Sequence, residues 1–430
     1  MHRIRPASGP GSSLAFATVL LLASALPMAA QWSTVAQIPP AGRYDDVFFL
    51  DAQNGWTVNS EGFVYRTTDG GTVWDQTAFL PSYLRCVEFI SPLDGFCGGL
   101  NGTFYHTTDG GANWTDIAPN IQPAIEGICG LSAPTPDVIY GCGIWSSPAY
   151  VIRSNDGGNS WDHFDLSTQA SALVDIHFLS EDTGFVSGKG PGTDEEGIIL
   201  YTTDGGQNWT EVFTTGVPYE YVWKLQSPDS GAHLFASIQA NPNQGDTRFA
   251  RSLDRGASWT DTIISNLYYY VQAIGFLSPL IGWTGGDSAL LETTDGGTTW
   301  DPIFIGQGFN RFFRIDDSTA FLSGQRLYRY TADLPTAIAE PLPTLEAHTF
   351  TASPTLTAGP LAIAIDLRQD TWMKLHVLGA DGRLIRTLFD ARALAGPHRF
   401  DTDLSALPAQ PLVILLHTND GQKVVRVVLK

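Results

Sequence analysis

Six short segments of the chain share the frame Ser/Thr-x-Asp-x-Gly-x-x-Trp. A carboxylate beside a hydroxyl could act as a catalytic acid or base. The same residue types also close tight turns, because glycine adopts positive φ freely and an aspartate side chain accepts hydrogen bonds from nearby N–H groups. Six copies favour this structural role, so we do not predict that the aspartates are catalytic. The aspartate and tryptophan pairs of the six segments are Asp69 and Trp74, Asp109 and Trp114, Asp156 and Trp161, Asp204 and Trp209, Asp254 and Trp259, and Asp295 and Trp300.

The spacing of these segments defines a structural repeat. Successive tryptophans lie 40, 47, 48, 50 and 41 residues apart. Each repeat contains four short runs of strand-forming residues separated by turn residues, for example residues 85–90, 96–100, 103–107 and 115–118. Four-stranded units that recur at this period are typical of β-propeller blades.

The two ends of the repeat region predict how many blades there are. After Trp300 one more unit follows, but its segment has decayed to Thr331-Ala332-Asp333 and has neither the glycine nor the tryptophan. Residues 31–35, which begin Gln31-Trp32, look like the start of a last strand without a segment of their own. We therefore expect this N-terminal strand to complete the last of seven blades and to close the ring, which removes the exposed sheet edge.

The repeated frame is similar to the Asp-box, or bacterial neuraminidase repeat. With the aromatic residues that precede it, residues 31–334 resemble the seven-bladed family typified by the photosystem II assembly and stability factor of cyanobacteria and chloroplasts. The resemblance implies a seven-bladed propeller and an assembly role. The same repeat occurs in unrelated proteins, so it says little about function.

The two ends of the chain predict export. Residues 1–30 have basic residues before an apolar run and read as a signal peptide, and no later segment is apolar enough to span a membrane. Residues 335–349 form a linker rich in proline and alanine, and residues 350–430 predict a small Ig-like β-sandwich. In the motifs at 353–355, 382–388, 395–400, 403–408 and 424–430, that segment resembles the C-terminal sorting domain of type IX secretion cargo. The resemblance implies an address tag for a secreted or outer-membrane-attached protein.

Composition excludes some classes of function and leaves others open. A net charge of -20 disfavours nucleic acid as a partner. Export makes a Cys129–Cys142 disulfide across a hairpin reasonable, although buried thiols are an equal alternative. No spacing of ligands predicts a metal site or a cofactor.

We predict a binding site on the propeller face opposite the Asp-box turns. The loops that enter the innermost strands lie there, and they carry aromatic and arginine residues around the mouth of the central channel. Such residues suit a glycan, a peptide or a protein surface, although they could instead pack between blades. The candidate binding residues are Arg43, Tyr44, Tyr83, Arg85, Tyr219, Tyr221, Tyr269 and Arg311.

The sequence thus predicts an exported, non-enzymatic propeller that acts as a binding or assembly scaffold at the cell surface. Its partners would be a protein or a glycan and, through the C-terminal domain, the type IX secretion machinery. A sorting tag conflicts with a photosystem location, so the family's photosystem role is not expected to transfer. The alternative is a secreted glycoside hydrolase of the sialidase or xyloglucanase type, but the sialidase Arg-Ile-Pro signature is absent.

Overall fold

The computed structural model describes residues 31–241, 246–266, 270–287, 289–332, 349–354, 356–379, 384–407, 410–418 and 421–430. The predicted signal peptide and all but the last residue of the predicted linker lie outside these residues. The described residues form β-sheets, with a 3-10 turn at Ala118–Asn120. Among them, no helix has the length and apolar character that a membrane crossing requires.

Seven four-stranded antiparallel sheets form the blades of a β-propeller, which confirms the predicted fold class. The first strand, β1, spans Gln31–Thr34 and belongs to the seventh blade. The first three blades contain β2 (Tyr44–Phe49), β3 (Gly55–Asn59), β4 (Phe63–Thr67) and β5 (Asp75–Phe79); β6 (Leu84–Phe89), β7 (Gly95–Gly99), β8 (Phe104–Thr107) and β9 (Thr115–Asp116); and β10 (Gly130–Ser132), β11 (Ile139–Cys142), β12 (Tyr150–Ser154) and β13 (Asp162–Asp165).

The remaining blades continue in the same order along the chain. They contain β14 (Ala172–Phe178), β15 (Gly184–Lys189), β16 (Gly197–Thr202) and β17 (Thr210–Thr214); β18 (Tyr221–Gln226), β19 (Leu234–Gln239), β20 (Thr247–Ser252) and β21 (Thr260–Ser265); β22 (Val271–Phe276), β23 (Gly282–Gly286), β24 (Leu290–Thr293) and β25 (Asp301–Ile303); and β26 (Phe312–Arg314), β27 (Thr319–Ser323) and β28 (Leu327–Thr331).

The N-terminal strand closes the ring, as the sequence predicts. β1 pairs antiparallel with β28, with Trp32 opposite Tyr330. The Trp32 ring is buried and packs edge-on against Trp283 of the sixth blade, with ring centroids 5.3 Å apart. The closing strand therefore adds both a ladder of backbone hydrogen bonds and an aromatic contact between blades.

In each Asp-box the carboxylate accepts hydrogen bonds from the turn itself. In the first blade, Oδ1 of Asp69 accepts hydrogen bonds from the Thr67 hydroxyl and the Val73 N–H, both at 2.9 Å. The Gly71 N–H donates to the Thr67 hydroxyl at 2.9 Å, and Nε1 of Trp74 donates to the Gly71 carbonyl at 3.1 Å. The N–H of Val73, foremost among these donors, lowers the pKa of Asp69. The carboxylate is thus used by the turn itself.

The Asp-boxes also join neighbouring blades. In most boxes the second glycine packs on an aromatic ring of the preceding blade: a Cβ at Gly71 would lie 2.3 Å from Phe321, and one at Gly158 would lie 2.3 Å from Phe96. Gly158 has a φ of 87°, so both the space and the backbone conformation require glycine. The Asp-box therefore forms part of the contact between neighbouring blades as well as closing a turn within its own blade.

The first glycine shows on which face the boxes lie. Its N–H donates to a carbonyl in the first hairpin turn of the same blade, as Gly110 does to Leu93 at 2.8 Å and Gly205 to Asp182 at 2.9 Å. First and third strands run in the same direction in an antiparallel meander, so their C-terminal ends share one face of the propeller. We call this the Asp-box face.

The C-terminal residues form a sandwich of two sheets. One sheet has the order β29 (Thr349–Ser353), β31 (Pro360–Leu367) and β34 (Gly396–Asp403); the other has the order β30 (Leu356–Thr357), β36 (Gly421–Leu429), β35 (Gln410–Thr418), β32 (Thr371–Gly379) and β33 (Leu384–Ala393). Buried and exposed residues alternate along β31, as a strand with one covered face requires. Ile363 and Ile365 meet Leu375, Ile414 and Val427 of the other sheet in one apolar core.

The predicted disulfide is not formed. Cys129 and Cys142 are both free and buried, as are Cys86 and Cys97. In β11, Cys142 lies opposite Gly130 rather than Cys129, and its side chain packs between the third and fourth blades with Tyr140 and Ile176. The prediction was wrong because it placed the two thiols across a hairpin without knowing the register.

Candidate binding site

The first strands of the blades line the central channel, because those of neighbouring blades contact one another around the ring. Five of them carry a β-bulge near their first residues, where the register with the second strand skips one position. A bulge turns a side chain out of the regular alternation, so that a strand can aim two successive residues to one side. The skipped residues are Asp45, Arg85, Val174, Trp223 and Gln272.

Four of these bulges contribute to a pocket at one end of the channel. The pocket has a volume of about 230 Å³. Three of the skipped residues, Arg85, Trp223 and Gln272, line it. The fourth, Asp45, forms ion pairs with the two arginines of the lining. We call this pocket the mouth pocket; its lining residues are Arg43, Tyr83, Arg85, Leu100, Trp145, Trp223, Tyr270 and Gln272. Most of them lie at or near the beginnings of first strands, and Leu100 and Trp145 lie in turns between second and third strands. Both places are on the face opposite the Asp-box face, so the mouth pocket opens there.

A hydrogen-bond network fixes the arginines of the mouth pocket. The Arg43 guanidinium donates to Oε1 of Gln272 at 2.7 Å and to the Tyr83 hydroxyl at 3.1 Å. The Asp45 carboxylate is fully buried and pairs with Arg43 at 2.6 Å and with Arg85. Burial, followed by the charge of Asp45, raises the pKa of Tyr83, so its hydroxyl stays protonated. The polar lining is therefore held in place before a ligand arrives.

Several donors in the mouth pocket are unused. Arg85 is only 3% exposed, and its Nε and Nη2 have no hydrogen-bond partner among the described residues. The same holds for Nε1 of Trp223, whose ring lies 5.8 Å from the Arg85 guanidinium. A buried donor without a partner costs about 1–3 kcal/mol. The Nε–Nη2 edge of an arginine matches the two oxygens of a carboxylate, so this arrangement can bind an acidic or carbonyl group.

Beyond the mouth pocket, an ionic cluster crosses the channel. Arg311 of the seventh blade donates to Asp46 of the first blade at 3.0 Å and to Asp175 of the fourth blade at 2.6 Å. Lys224 of the fifth blade lies 3.5 Å from Asp175. These four residues, which we call the channel plug, tie together blades that are far apart along the chain.

Burial and ion pairing compete in the channel plug. Burial opposes ionisation of Asp175, but Arg311 and Lys224 lower its pKa below the ordinary value. Burial raises the pKa of Asp46 despite Arg311, and burial together with Arg311 lowers the pKa of Lys224. Asp175 is therefore ionised, and both Arg311 and Lys224 pair with it.

The other predicted binding residues that the structure describes do not line the mouth pocket, although they were expected around the mouth of the channel. Tyr44 is fully buried between blades, and its hydroxyl donates to the Pro39 carbonyl at 2.9 Å, so it does not line the mouth. Arg311 lies inside the channel plug. Tyr219 and Tyr221 lie beside the mouth, where Lys189 contacts both rings. The Tyr221 hydroxyl donates to the Trp145 carbonyl at 2.7 Å, and Tyr269 lies outside the described residues.

Models of known protein families match two parts of the repeat region. A family model described as photosynthesis system II assembly factor YCF48 matches residues 25–122, and a model of the BNR/Asp-box repeat matches residues 200–211. The chain is an Asp-box propeller that resembles this assembly factor. Apart from residues 25–30, both matches lie within residues 31–334, the region that the sequence assigns to that resemblance.

Individual relatives extend the resemblance over a larger share of the chain. The photosystem II assembly lipoprotein Ycf48 of Synechococcus sp. (strain CC9902) is 28% identical over 302 residues, which cover 65% of this chain and 82% of the relative. A solved structure of YCF48 bound to D1 peptide superposes with a TM-score of 0.54 at 19% identity, over 70% of this chain and 97% of that one. PorZ, a surface component of the type-IX secretion system of Porphyromonas gingivalis, has a TM-score of 0.51 at 10% identity, over 91% of this chain and 60% of that one. At these identities the two structures show the fold alone.

Sequence reasoning missed the polar residues inside the first strands. It selected residues that precede or begin these strands and passed over Asp45, Trp223 and Gln272, which lie further inside them. A signal was present: paired polar residues such as Asp45-Asp46 interrupt the alternation of an otherwise apolar run. In the part of the chain that the structure describes, no group of three or more His, Cys, Asp or Glu side chains is placed to hold a metal ion.

Proposed function

We propose that this protein is a non-enzymatic scaffold that binds a segment of another protein in the mouth pocket. The observation that carries the proposal is the set of buried, unused donors on Arg85 and Trp223, in a pocket walled by aromatic rings. An extended peptide that ends in, or displays, a carboxylate would supply the missing acceptors. The resemblance to a protein whose solved structure contains a bound peptide supports a peptide rather than a small solute.

The aromatic rim favours affinity for a peptide. Trp145 is 43% exposed at the edge of the mouth pocket, and Tyr83, Trp223 and Tyr270 form its walls. Partly exposed aromatic side chains supply much of the binding energy at protein interfaces. Arg43 and Arg85 are already ordered by Asp45, so little conformational entropy is lost when a ligand binds.

The location that we propose is outside the cytoplasm. The residues at 1–30 have the pattern of a signal peptide, and the relative from Synechococcus is named a lipoprotein. The C-terminal β-sandwich would serve as the sorting domain, with the type IX secretion machinery as its partner. Immunoblots of secreted, outer-membrane and cytoplasmic fractions, with and without residues 350–430, would test this; retention of the truncated protein inside the cell is the expected result.

The alternative of a glycoside hydrolase is less well supported by the channel chemistry. A hydrolase of this kind needs two carboxyl groups that can reach the sugar bond. Asp45, Asp46 and Asp175 are instead engaged with Arg43, Arg85, Arg311 and Lys224. Carboxylates held in such pairs are suited to fixing cations rather than to transferring protons.

The binding proposal can be tested with peptides of unbiased sequence. Randomised decapeptides would be synthesised twice, once with a free C-terminal carboxylate and once as the amide, and exposed to the full chain on an array. We expect binding to peptides with a free or side-chain carboxylate, and weaker binding by Trp145→Ala. Absence of binding to every peptide, or equal binding by Trp145→Ala, would overturn the proposal.

A further inference from the structure

A second cavity occupies the other end of the channel. It has a volume of about 310 Å³ and is lined by the C-terminal ends of first strands, among them residues 46–48, 87–88, 176–178 and 225–227. It therefore opens on the Asp-box face, with the channel plug between it and the mouth pocket. Its volume is within the range of small-molecule sites, which begin at about 300 Å³. We call it the Asp-box-face cavity.

The polar groups of the Asp-box-face cavity are only partly used. The imidazole of His177 is half-buried in the wall and has no hydrogen-bond partner among the described residues. Glu88 accepts one hydrogen bond, from the Ala133 N–H to Oε1 at 3.2 Å, which leaves its second oxygen free. The Ser132 hydroxyl oxygen accepts from the Phe178 N–H at 3.0 Å and keeps its own hydrogen to donate.

Glu88 and His177 of the wall are both neutral near pH 7. Burial, followed by the charge of Asp46, raises the pKa of Glu88 from its ordinary 4.5 to about 8. Burial lowers the pKa of His177 below its ordinary value. A protonated carboxyl group and a neutral imidazole each offer one donor and one acceptor. Glu88 and His177 thus present paired donors and acceptors without a net charge.

Two half-exposed aromatic rings provide the apolar part of the cavity. Phe48 and Phe313 lie edge to face with centroids 5.5 Å apart, and both line the cavity on the side of the first and seventh blades. Arg311 and Arg314 also reach the lining. Asp46 and Asp175 pair with Arg311, and Asp317 pairs with Arg314, so the lining favours neither a cationic nor an anionic ligand.

From this combination we infer that the Asp-box-face cavity is a binding site for a neutral sugar ring. Sugar hydroxyls donate and accept at once, which matches His177, Glu88 and Ser132, and the C–H face of a sugar ring packs against aromatic side chains such as Phe48 and Phe313. The site is separate from the mouth pocket, so it does not depend on the proposed binding of peptides there.

Ligand-observed saturation-transfer NMR on the full chain tests this site. The probes are methyl β-glucopyranoside and methyl β-galactopyranoside, with glucosamine and galacturonate as charged counterparts. Two variants remove the site in different ways: His177→Leu deletes a hydrogen-bonding group that has no partner to lose, and Ala133→Trp fills the cavity. Leu93→Ser, at an exposed residue of the same face, is the matched control.

We expect saturation transfer to at least one neutral glycoside and not to the charged sugars. The affinity should fall about tenfold in His177→Leu, as for the loss of a buried hydrogen bond, and binding should vanish in Ala133→Trp. Leu93→Ser should bind as the unaltered chain does. The inference is overturned if neither neutral glycoside receives saturation, if the charged sugars bind equally well, or if both cavity variants bind normally.

Discussion

The guanidinium group of Arg311 in the seventh blade donates a 2.6 Å hydrogen bond to Oδ1 of Asp175 in the fourth blade. The two residues are 136 positions apart in sequence and come from opposite parts of the ring. Because Arg311 also binds Asp46 of the first blade, one side chain closes the channel between its two pockets. The centre of the propeller is thus a fixed ionic cluster rather than an open passage.

Removal of this arginine should destabilise the propeller strongly. In Arg311→Met, two buried carboxylates lose their main cation, and the loss of one partner from a buried ion pair costs about 3–5 kcal/mol. Urea unfolding of the propeller would measure the change. Arg314→Met in the same strand is the control, because Arg314 pairs with Asp317, which is 92% exposed, and donates one hydrogen bond to the Leu277 carbonyl at 2.8 Å. Their loss should cost only about 1–2 kcal/mol. Equal losses in the two variants would contradict the role of the channel plug.

The Glu88 carboxyl group should make stability depend on pH. Its pKa is about 8 in the folded protein and ordinarily 4.5, so between these values the folded state binds a proton that the unfolded state has released. Its contribution is therefore fully present below pH 4.5 and is lost as the pH rises through about 8. Glu88→Gln should remove this dependence and gain on the order of 4 kcal/mol relative to the unaltered chain at the upper end. Denaturant midpoints across this range would show it; parallel pH profiles would count against a raised pKa.

The contact between the Asp-box and the preceding blade can be tested at a glycine. Gly158→Ala combines positive φ with a clash against Phe96, so we expect a loss of about 2–4 kcal/mol, from strain and overpacking together. Gly216→Ala is a matched control, since Gly216 also has positive φ, of 65°, but has nothing within 4 Å of an added Cβ. It should lose only about 1 kcal/mol. Calorimetric transition temperatures would rank the two, and an equal shift would mean that the aromatic contact contributes nothing.

The closing strand β1 should stabilise the propeller through the packing of the Trp32 ring rather than through a hydrogen bond from its N–H. Nε1 of Trp32 is buried without a partner among the described residues, whereas the ring packs on Trp283 and Tyr330. Trp32→Ala should cost about 3–5 kcal/mol, and Trp32→Phe only about 1–2 kcal/mol. The free energy of unfolding from chemical denaturation distinguishes them. If Trp32→Ala were as stable as the unaltered chain, closure of the ring by β1 would not matter for stability.

The propeller fold could be predicted because its signals are local and repeated. The Asp-box at residues 67–74 contains in eight positions all the groups that its turn needs, and the loss of the last box, together with Trp32, predicted the closure. The channel could not be predicted in this way. Arg311 and Asp175 meet only because the ring brings distant blades together, and nothing local in either segment indicates the other.

The mouth pocket was predicted in part for a related reason. Arg43, Tyr83 and Arg85 were selected because they precede or begin first strands, and they do line the pocket. Tyr44 was selected on the same ground but points into the blade, since the bulge after it sends Asp45 and Asp46 toward the channel instead. Bulges depend on how two strands pair, so the direction of these side chains is not readable from one strand alone.

The most direct measurement of the central claim is the affinity of Trp223→Phe for a peptide that carries a carboxylate and binds the full chain. This change removes a buried donor that has no partner in the described residues while keeping an aromatic ring in the mouth pocket. Trp259→Phe is the matched control, because its Nε1 is also buried without a partner but lies away from the channel, beside Phe213. We predict that Trp223→Phe binds the peptide about tenfold more weakly in isothermal titration calorimetry, with the melting temperature little changed, and that Trp259→Phe binds normally. Equal affinity of Trp223→Phe and the unaltered chain would contradict the claim that the mouth pocket is the binding site.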